Sequence, residues 1–228
     1  MAVNDTIHKP IRSYVLRQGR FSRAQQRAHA ELMPRFGIDY SPRPVDFAAA
    51  FGRRAALIAE IGSGMGETTV RIAAENPAND YLALEVHAPG VGSLLRQAEE
   101  AGITNVRVIQ HDAVDVLRDM VLPDSLAGVH VFFPDPWPKK RHHKRRLLQR
   151  AFLDLAASRL APGAVLHVAT DWQEYAEEVL ALLQATPGLA NTAPGFADRP
   201  AWRPQTKFER RGIKLGHGVW DLVFKKQA

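Results

Sequence analysis

Apolar residues fall in short clusters along this chain, and from Ala55 onward the clusters alternate between strand-like and helix-like spacing. Ala55–Ile61 is a short apolar run that ends at glycines, and Glu67–Asn76 is a helical segment that Pro77 stops. The same couple recurs. Tyr81–Val86 precedes the helix Pro89–Ala101, closed by Gly102, and Val106–Gln110 precedes the short helix Val114–Met120. Val129–Phe133 is followed, beyond a basic run, by an amphipathic helix over Arg145–Leu160 that Pro162-Gly163 ends. Val165–Ala169 and Trp172–Gln184 form a fifth couple, Leu189–Thr192 is a weak strand, and Gly218–Phe224 is a strong final one. Strands alternating with helices of about 10–15 residues predict an α/β domain, a largely parallel sheet with helices on both faces. Ligands of such a sheet sit in the loops at the carboxyl ends of its strands.

Residues 1–42 follow a different pattern. Up to Ala30 they hold six basic residues and one acid, Asp5, with little apolar periodicity. Arg17, Arg20, Arg23 and Arg27 would share one face only if the segment became helical. The expectation is a basic N-terminal arm over 1–42, loosely ordered on its own, and one doubly wound domain over 43–228. An arm that orders on nucleic acid is the alternative.

Charge adds a location to this picture. The chain of 228 residues carries 30 Lys and Arg against 24 Asp and Glu, a formal charge of +6. Six of the eight residues from Lys139 to Arg146 are basic, and without them the remainder is neutral. Basic character is therefore local, which argues against a uniformly cationic histone-like protein and for a neutral body with one charged device. Hydrophobic content of 46% excludes wholesale disorder. There are no cysteines, so disulfides, zinc fingers and thiol nucleophiles are out. No long apolar segment suggests a leader or a membrane span, and a cytoplasmic protein is expected.

The candidate chemistry lies where such a sheet would put it. Glu60-Ile61-Gly62-Ser63-Gly64-Met65-Gly66 follows the first strand and opens a helix, with Gly62, Gly64 and Gly66 permitting close backbone approach to a ligand. Glu85 ends the second strand, where a carboxylate can accept from ribose hydroxyls, and Asp112 follows the third, placed to face an adenine amine. The glycine spacing is not that of a dinucleotide fingerprint, which favours S-adenosylmethionine over NAD and a methyltransferase over an oxidoreductase. After the fourth strand, Phe133-Pro134-Asp135-Pro136-Trp137-Pro138 is stiffened by three prolines and offers a carboxylate and an indole for a flat base. The basic run that follows suits RNA phosphates, and six such contacts would give a slope of log K against log salt of roughly −4. Adjacent His142 and His143 lack nearby acid or thiol ligands in sequence, so no metal is expected. Asp171 and Glu209 add two more acids, with no Ser-His or Cys-His pair for hydrolysis. Guanine suits this equipment. Carboxylates can accept from its N1–H and N2–H, and N7 carries no proton, so methylation there needs no general base. A non-catalytic RNA-binding module stays open as an alternative.

Several of these stretches together resemble the bacterial tRNA (guanine-N7)-methyltransferase family over roughly Phe51 to Phe224. They are the glycine loop, Leu84-Glu85-Val86-His87, His111-Asp112-Ala113, the proline loop with Lys139 to Arg146, Ala169-Thr170-Asp171-Trp172, Thr206-Lys207-Phe208-Glu209 and the final Gly216-His217-Gly218-Val219-Trp220-Asp221. The resemblance implies a Rossmann-like class I methyltransferase with a seven-stranded, mostly parallel sheet whose last strand is antiparallel. It implies methyl transfer from S-adenosylmethionine, leaving S-adenosylhomocysteine, to N7 of the variable-loop guanosine at tRNA position 46. By that pattern Glu60, Glu85 and Asp112 contact the cofactor beside Gly62, Gly64 and Gly66, and Asp135 contacts cofactor and serves catalysis. Lys139, Asp171, Thr206, Lys207, Phe208 and Glu209 would meet the substrate, and Arg141, His142, His143, Lys144, Arg145 and Arg146 the RNA. Ser63 and His143 depart from the family pattern, which often has an aromatic and an Asn there. tRNA is the expected partner; neither a membrane nor an obligate protein partner is, and monomer and homodimer stay open.

Overall fold

The computed structural model describes residues 12–15, 20–206, 209–210 and 218–228. Seven strands form one sheet: β1 Ala56–Ile61, β2 Asn79–Leu84, β3 Val106–Ile109, β4 Leu126–Phe132, β5 Leu160–Thr170, β6 Leu189–Asn191 and β7 Trp220–Lys226. Their order across the sheet is β3-β2-β1-β4-β5-β7-β6. β1 pairs in parallel with β2 and β4, and β4 with β5, whereas β7 runs antiparallel to both β5 and β6. The order reverses between β1 and β4, the switch point at which such sheets open a crevice. The seven-stranded sheet with an antiparallel last strand is thus present, and the weak strand over residues 189–191 is its edge.

Alternation along each strand sends residues to two cores. Leu57, Ala59, Ile61, Val129, Val131, Leu166, Val168, Leu222 and Phe224 pack toward α5 Ala113–Asp119, α6 Arg150–Arg159 and α7 Gln173–Gln184. Ile58, Tyr81, Ala83, Val106 and Val108 pack toward α1 Arg23–Phe36, α3 Glu67–Glu75 and α4 Ala88–Glu100. A short α2, Phe47–Phe51, leads into β1. None of the described helices is long and apolar enough to cross a membrane.

Two expectations need correction. Residues 23–42 are not a loose arm, because α1 is folded onto the domain. Ser22 and Gln25 form a reciprocal capping box at its start, Ala28 and Phe36 are buried, and past its end the Ile38 N–H donates to the Val108 carbonyl at 2.9 Å. Gly92 of α4 makes this docking possible, since a Cβ there would lie 2.3 Å from the Gln25 carbonyl oxygen. Arg20 precedes the helix, and Arg17 lies outside the described residues. The second correction concerns the helix expected from Arg145. Lys140–Arg145 instead forms a 3-10 helix, and α6 begins only at Arg150. Arg146 and Leu148 both turn inward, so the backbone between the two helices is extended rather than helical.

Candidate active site

The carboxyl ends of β1 to β4 surround a cavity of about 290 Å³ whose lining includes Gly62, Glu85, Asp112 and Asp135. A larger opening, about 690 Å³, lies at the amino ends of the strands beside Leu57 and Asp80 and gathers no comparable set of groups.

Gly62, Gly64 and Gly66 all adopt positive φ. Gly66 is also in contact with α4, where a Cβ would sit 2.5 Å from that of Leu94. The loop folds over the Glu85 carboxylate, which accepts from the Gly64 N–H at 2.7 Å, the Val86 N–H at 2.8 Å and the His87 N–H at 2.9 Å. Three backbone donors fix its direction and leave roughly one of four acceptor positions unspent. Asp112 caps α5 by accepting from the Val114 N–H at 3.0 Å. Its neighbour across the cavity is Tyr14, whose hydroxyl is pushed above its ordinary pKa by burial and by the Asp112 charge.

Glu60 is buried, and its Oε2 lacks a hydrogen-bond partner among the described residues, as do the Ser63 and Thr69 hydroxyls. Burial pushes the Glu60 carboxyl up to about 7, with the nearby Thr69 hydroxyl opposing and Glu85 adding to the rise. Three unpartnered buried oxygens around one loop cost folding energy. A ligand bearing N–H donors and positive charge would relieve that cost, so this loop fits the amino-acid end of S-adenosylmethionine.

The proline loop leaves β4 under backbone strain. Phe133 and Trp137, at either side of Pro134-Asp135-Pro136, have φ of 51° and 45°. Non-glycine residues in this region cost about 1–3 kcal/mol each and persist where surroundings hold them. Here the Phe133 N–H donates to the Ala169 carbonyl at 2.7 Å, and the Trp137 indole N–H donates to the Ser13 carbonyl at 3.2 Å. The Trp137 ring lies under the Arg145 guanidinium and against His142. Asp135 stays exposed at the cavity rim, and its carboxylate makes no hydrogen bond among the described residues.

In the basic run, Lys139, Lys140, Arg141 and Lys144 are exposed, and Arg145 is half-buried over Trp137. His142 is kept below its ordinary pKa by partial desolvation and by the cations around it, Arg141 first. Arg146 departs from the exposed surface expected of an RNA contact, because its side chain is 0% exposed. It pairs with Glu178, donates to Glu174 at 3.2 Å and to the Pro136 carbonyl at 2.9 Å, and lies over Tyr175. It therefore braces the proline loop from inside. His143, Glu174 and Glu178 converge within 4.8 Å, a proximity that sequence spacing does not reveal, and the cation among them is the Arg146 guanidinium.

Asp171 directly follows β5 and is half-buried, with Thr170 Oγ1 accepting the Trp172 N–H beside it. Lys207 and Phe208 lie outside the described residues. Thr206 and Glu209 are described, and each uses its side chain on the other's backbone. The Glu209 N–H donates to Thr206 Oγ1 at 3.1 Å, and the Thr206 N–H donates to Glu209 Oε2 at 3.2 Å. This is a capping box, and its T-x-x-E spacing was legible as one. Glu209 is also buried in an ion pair with Arg203 at 2.7 Å, so its carboxylate is engaged, whereas those of Asp135 and Asp171 have no partner among the described residues. Sequence reasoning missed Ser13, Tyr14 and Arg203, none of which belongs to a recognisable spacing.

Known proteins resemble this chain over most of its length. A family model described as "Putative methyltransferase" matches residues 54–222. A tRNA (guanine-N(7)-)-methyltransferase of Nitrosospira multiformis is 61% identical over 225 residues, covering 99% of this chain and 98% of that protein. Another, of Aromatoleum aromaticum, is 63% identical over 96% of this chain and 85% of its own length. Among solved structures, the 16S rRNA methyltransferase KamB superposes with a TM-score of 0.58 at 15% identity, covering 82% of this chain and 95% of that one. At that identity the likeness concerns the fold alone.

Proposed function

The chain belongs to the tRNA (guanine-N7)-methyltransferase family, and we propose that it methylates N7 of a guanosine in tRNA at the expense of S-adenosylmethionine. The target within tRNA is the variable-loop guanosine at position 46, and the products are 7-methylguanosine and S-adenosylhomocysteine. One observation carries the proposal beyond membership. Four successive strand ends bring the glycine loop, Glu85, Asp112 and Asp135 to a single cavity, and the exposed cationic stretch begins four residues after Asp135.

S-adenosylmethionine supplies an electrophilic methyl carbon on a sulfonium. Glu60 and the glycine loop would hold its amino-acid end, Glu85 the ribose and Asp112 the adenine amine. Lys139 to Arg145 hold phosphates and bring the base over Asp135. The N7 lone pair forms the new bond to the methyl carbon while the carbon–sulfur bond breaks with its electrons to sulfur. The positive charge passes from sulfur to the purine, and no proton moves. The chain's contribution is alignment, together with a carboxylate at Asp135 that tolerates the cationic ring. Asp171, also without a partner among the described residues, is suited to accept from the guanine edge.

Asp135→Ala tests this assignment. It should keep most of its affinity for S-adenosylmethionine, measured by equilibrium dialysis, and lose methyl transfer to tRNA by about 100-fold or more. Undiminished turnover in that variant would remove Asp135 from the chemistry.

A further inference from the structure

Strand alternation that sends Val129, Leu166 and Leu222 to one core sends His130, His167 and Asp221 to the other face of β4, β5 and β7. That face is polar yet buried, and the segment around Trp202-Arg203 covers it. Trp202 stacks on His130 at 4.8 Å and meets His167 edge-on at 5.1 Å. The His167 imidazole donates from Nε2 to Asp221 at 2.6 Å, the neutral tautomer that burial favours.

Arg203 is at the centre of this cover, its side chain 0% exposed. Its Nε and Nη2 donate to the two Asp221 oxygens at 2.7 and 2.8 Å. Its Nη1 and Nη2 donate to the two Glu209 oxygens at 2.7 and 3.1 Å. The guanidinium also lies 5.9 Å from the Phe132 ring centre and 5.8 Å from that of Phe133. Phe133 is the strained residue from which the Asp135 loop departs, and Glu209 caps the turn that begins at Thr206. A single planar cation thus ties the last strand, the proline loop and the Thr206 turn into one unit.

We propose that Arg203 is a positioning residue for methyl transfer, fixing Thr206 relative to Asp135 by clamping Glu209 to Asp221. The proposal rests on the methyltransferase function above. It gives Glu209 an indirect role, since three of its roughly four acceptor positions are taken by Arg203 and the Thr206 N–H. Thr206, whose oxygen accepts from the Glu209 N–H, keeps a hydroxyl proton to donate to the base. Lysine cannot reproduce the clamp, because an ammonium is a point charge without the fork that engages two carboxylates at once.

The test compares Arg203→Lys, Thr206→Ala and the double variant in full-length protein, with wild type run alongside. Arg203→Lys should unfold cooperatively and bind S-adenosylmethionine and tRNA as wild type does, while kcat per folded molecule falls about 100-fold. The double variant should be no slower than Thr206→Ala alone, because Arg203 acts through Thr206. A kcat unchanged in Arg203→Lys, or losses that multiply in the double variant, would overturn the proposal. If Arg203→Lys does not fold, Asp221→Asn, which loosens the same guanidinium from β7, must show the kcat loss and the same non-additivity or the proposal fails. Wild type that transfers no methyl to tRNA sinks the function itself; active wild type with an indifferent Arg203 sinks only the clamp.

Discussion

Glu60 and Arg146 are both buried charged residue types, and they behave in opposite ways. Glu60 Oε2 has no partner among the described residues, and burial raises the carboxyl to about 7 from an unfolded value near 4.5. A raised acid stabilises the fold fully below its unfolded pKa, and that contribution is lost as pH rises through the folded one. Ligand-free protein should therefore lose Tm between pH 5 and 8, and Glu60→Gln should flatten the decline. Parallel curves for the two proteins would show that the carboxyl is already ionised. Arg146, by contrast, is paired with Glu174 and Glu178. Because both acids remain partly exposed, Arg146→Ala should cost about 2 kcal/mol in urea unfolding, less than a fully buried pair. It should weaken tRNA binding less than Arg141→Ala does. The opposite ranking would return Arg146 to the RNA surface.

Among the elements, the alternation of strands and helices was legible from spacing, and so were the acids at strand ends, because buried strands and turn glycines leave strong local signals. The first helix was not. Its buried positions, Ala28 and Phe36, are eight residues apart, and Pro34 interrupts the last turn. Only Ser22-x-x-Gln25 announced it. Ser22→Ala should remove that cap and cost about 1 kcal/mol of stability. An unchanged urea midpoint would mean that docking on α4 alone holds the helix. The 3-10 helix was hidden for another reason: a run of basic residues carries no periodicity that distinguishes an inward Arg146 from its outward neighbours. With that residue withdrawn, five charges remain for phosphate, and the slope of log K against log salt for tRNA should be roughly −3.5. A slope near zero would remove the stretch from RNA binding.

At the scale of the molecule, the sheet brings the proposed cofactor cavity and the exposed basic stretch to one edge. β1 to β3 supply the glycine loop, Glu85 and Asp112; β4 supplies Asp135, and the cationic stretch follows it directly. The formal charge of +6 equals the charge of that run in sequence, but in space one of the six is consumed in bracing the loop. Such long-range pairings as Arg146 with Glu178 and Arg203 with Asp221 join residues 32 and 18 apart, and no local pattern encodes them. The central claim is that this edge methylates guanine N7 in tRNA. The direct measurement is incubation of the wild-type protein with methyl-labelled S-adenosylmethionine and unmodified tRNA, followed by digestion and nucleoside analysis. Label recovered in 7-methylguanosine is the predicted result. Label in any other nucleoside, or none from protein that binds S-adenosylmethionine, would contradict it.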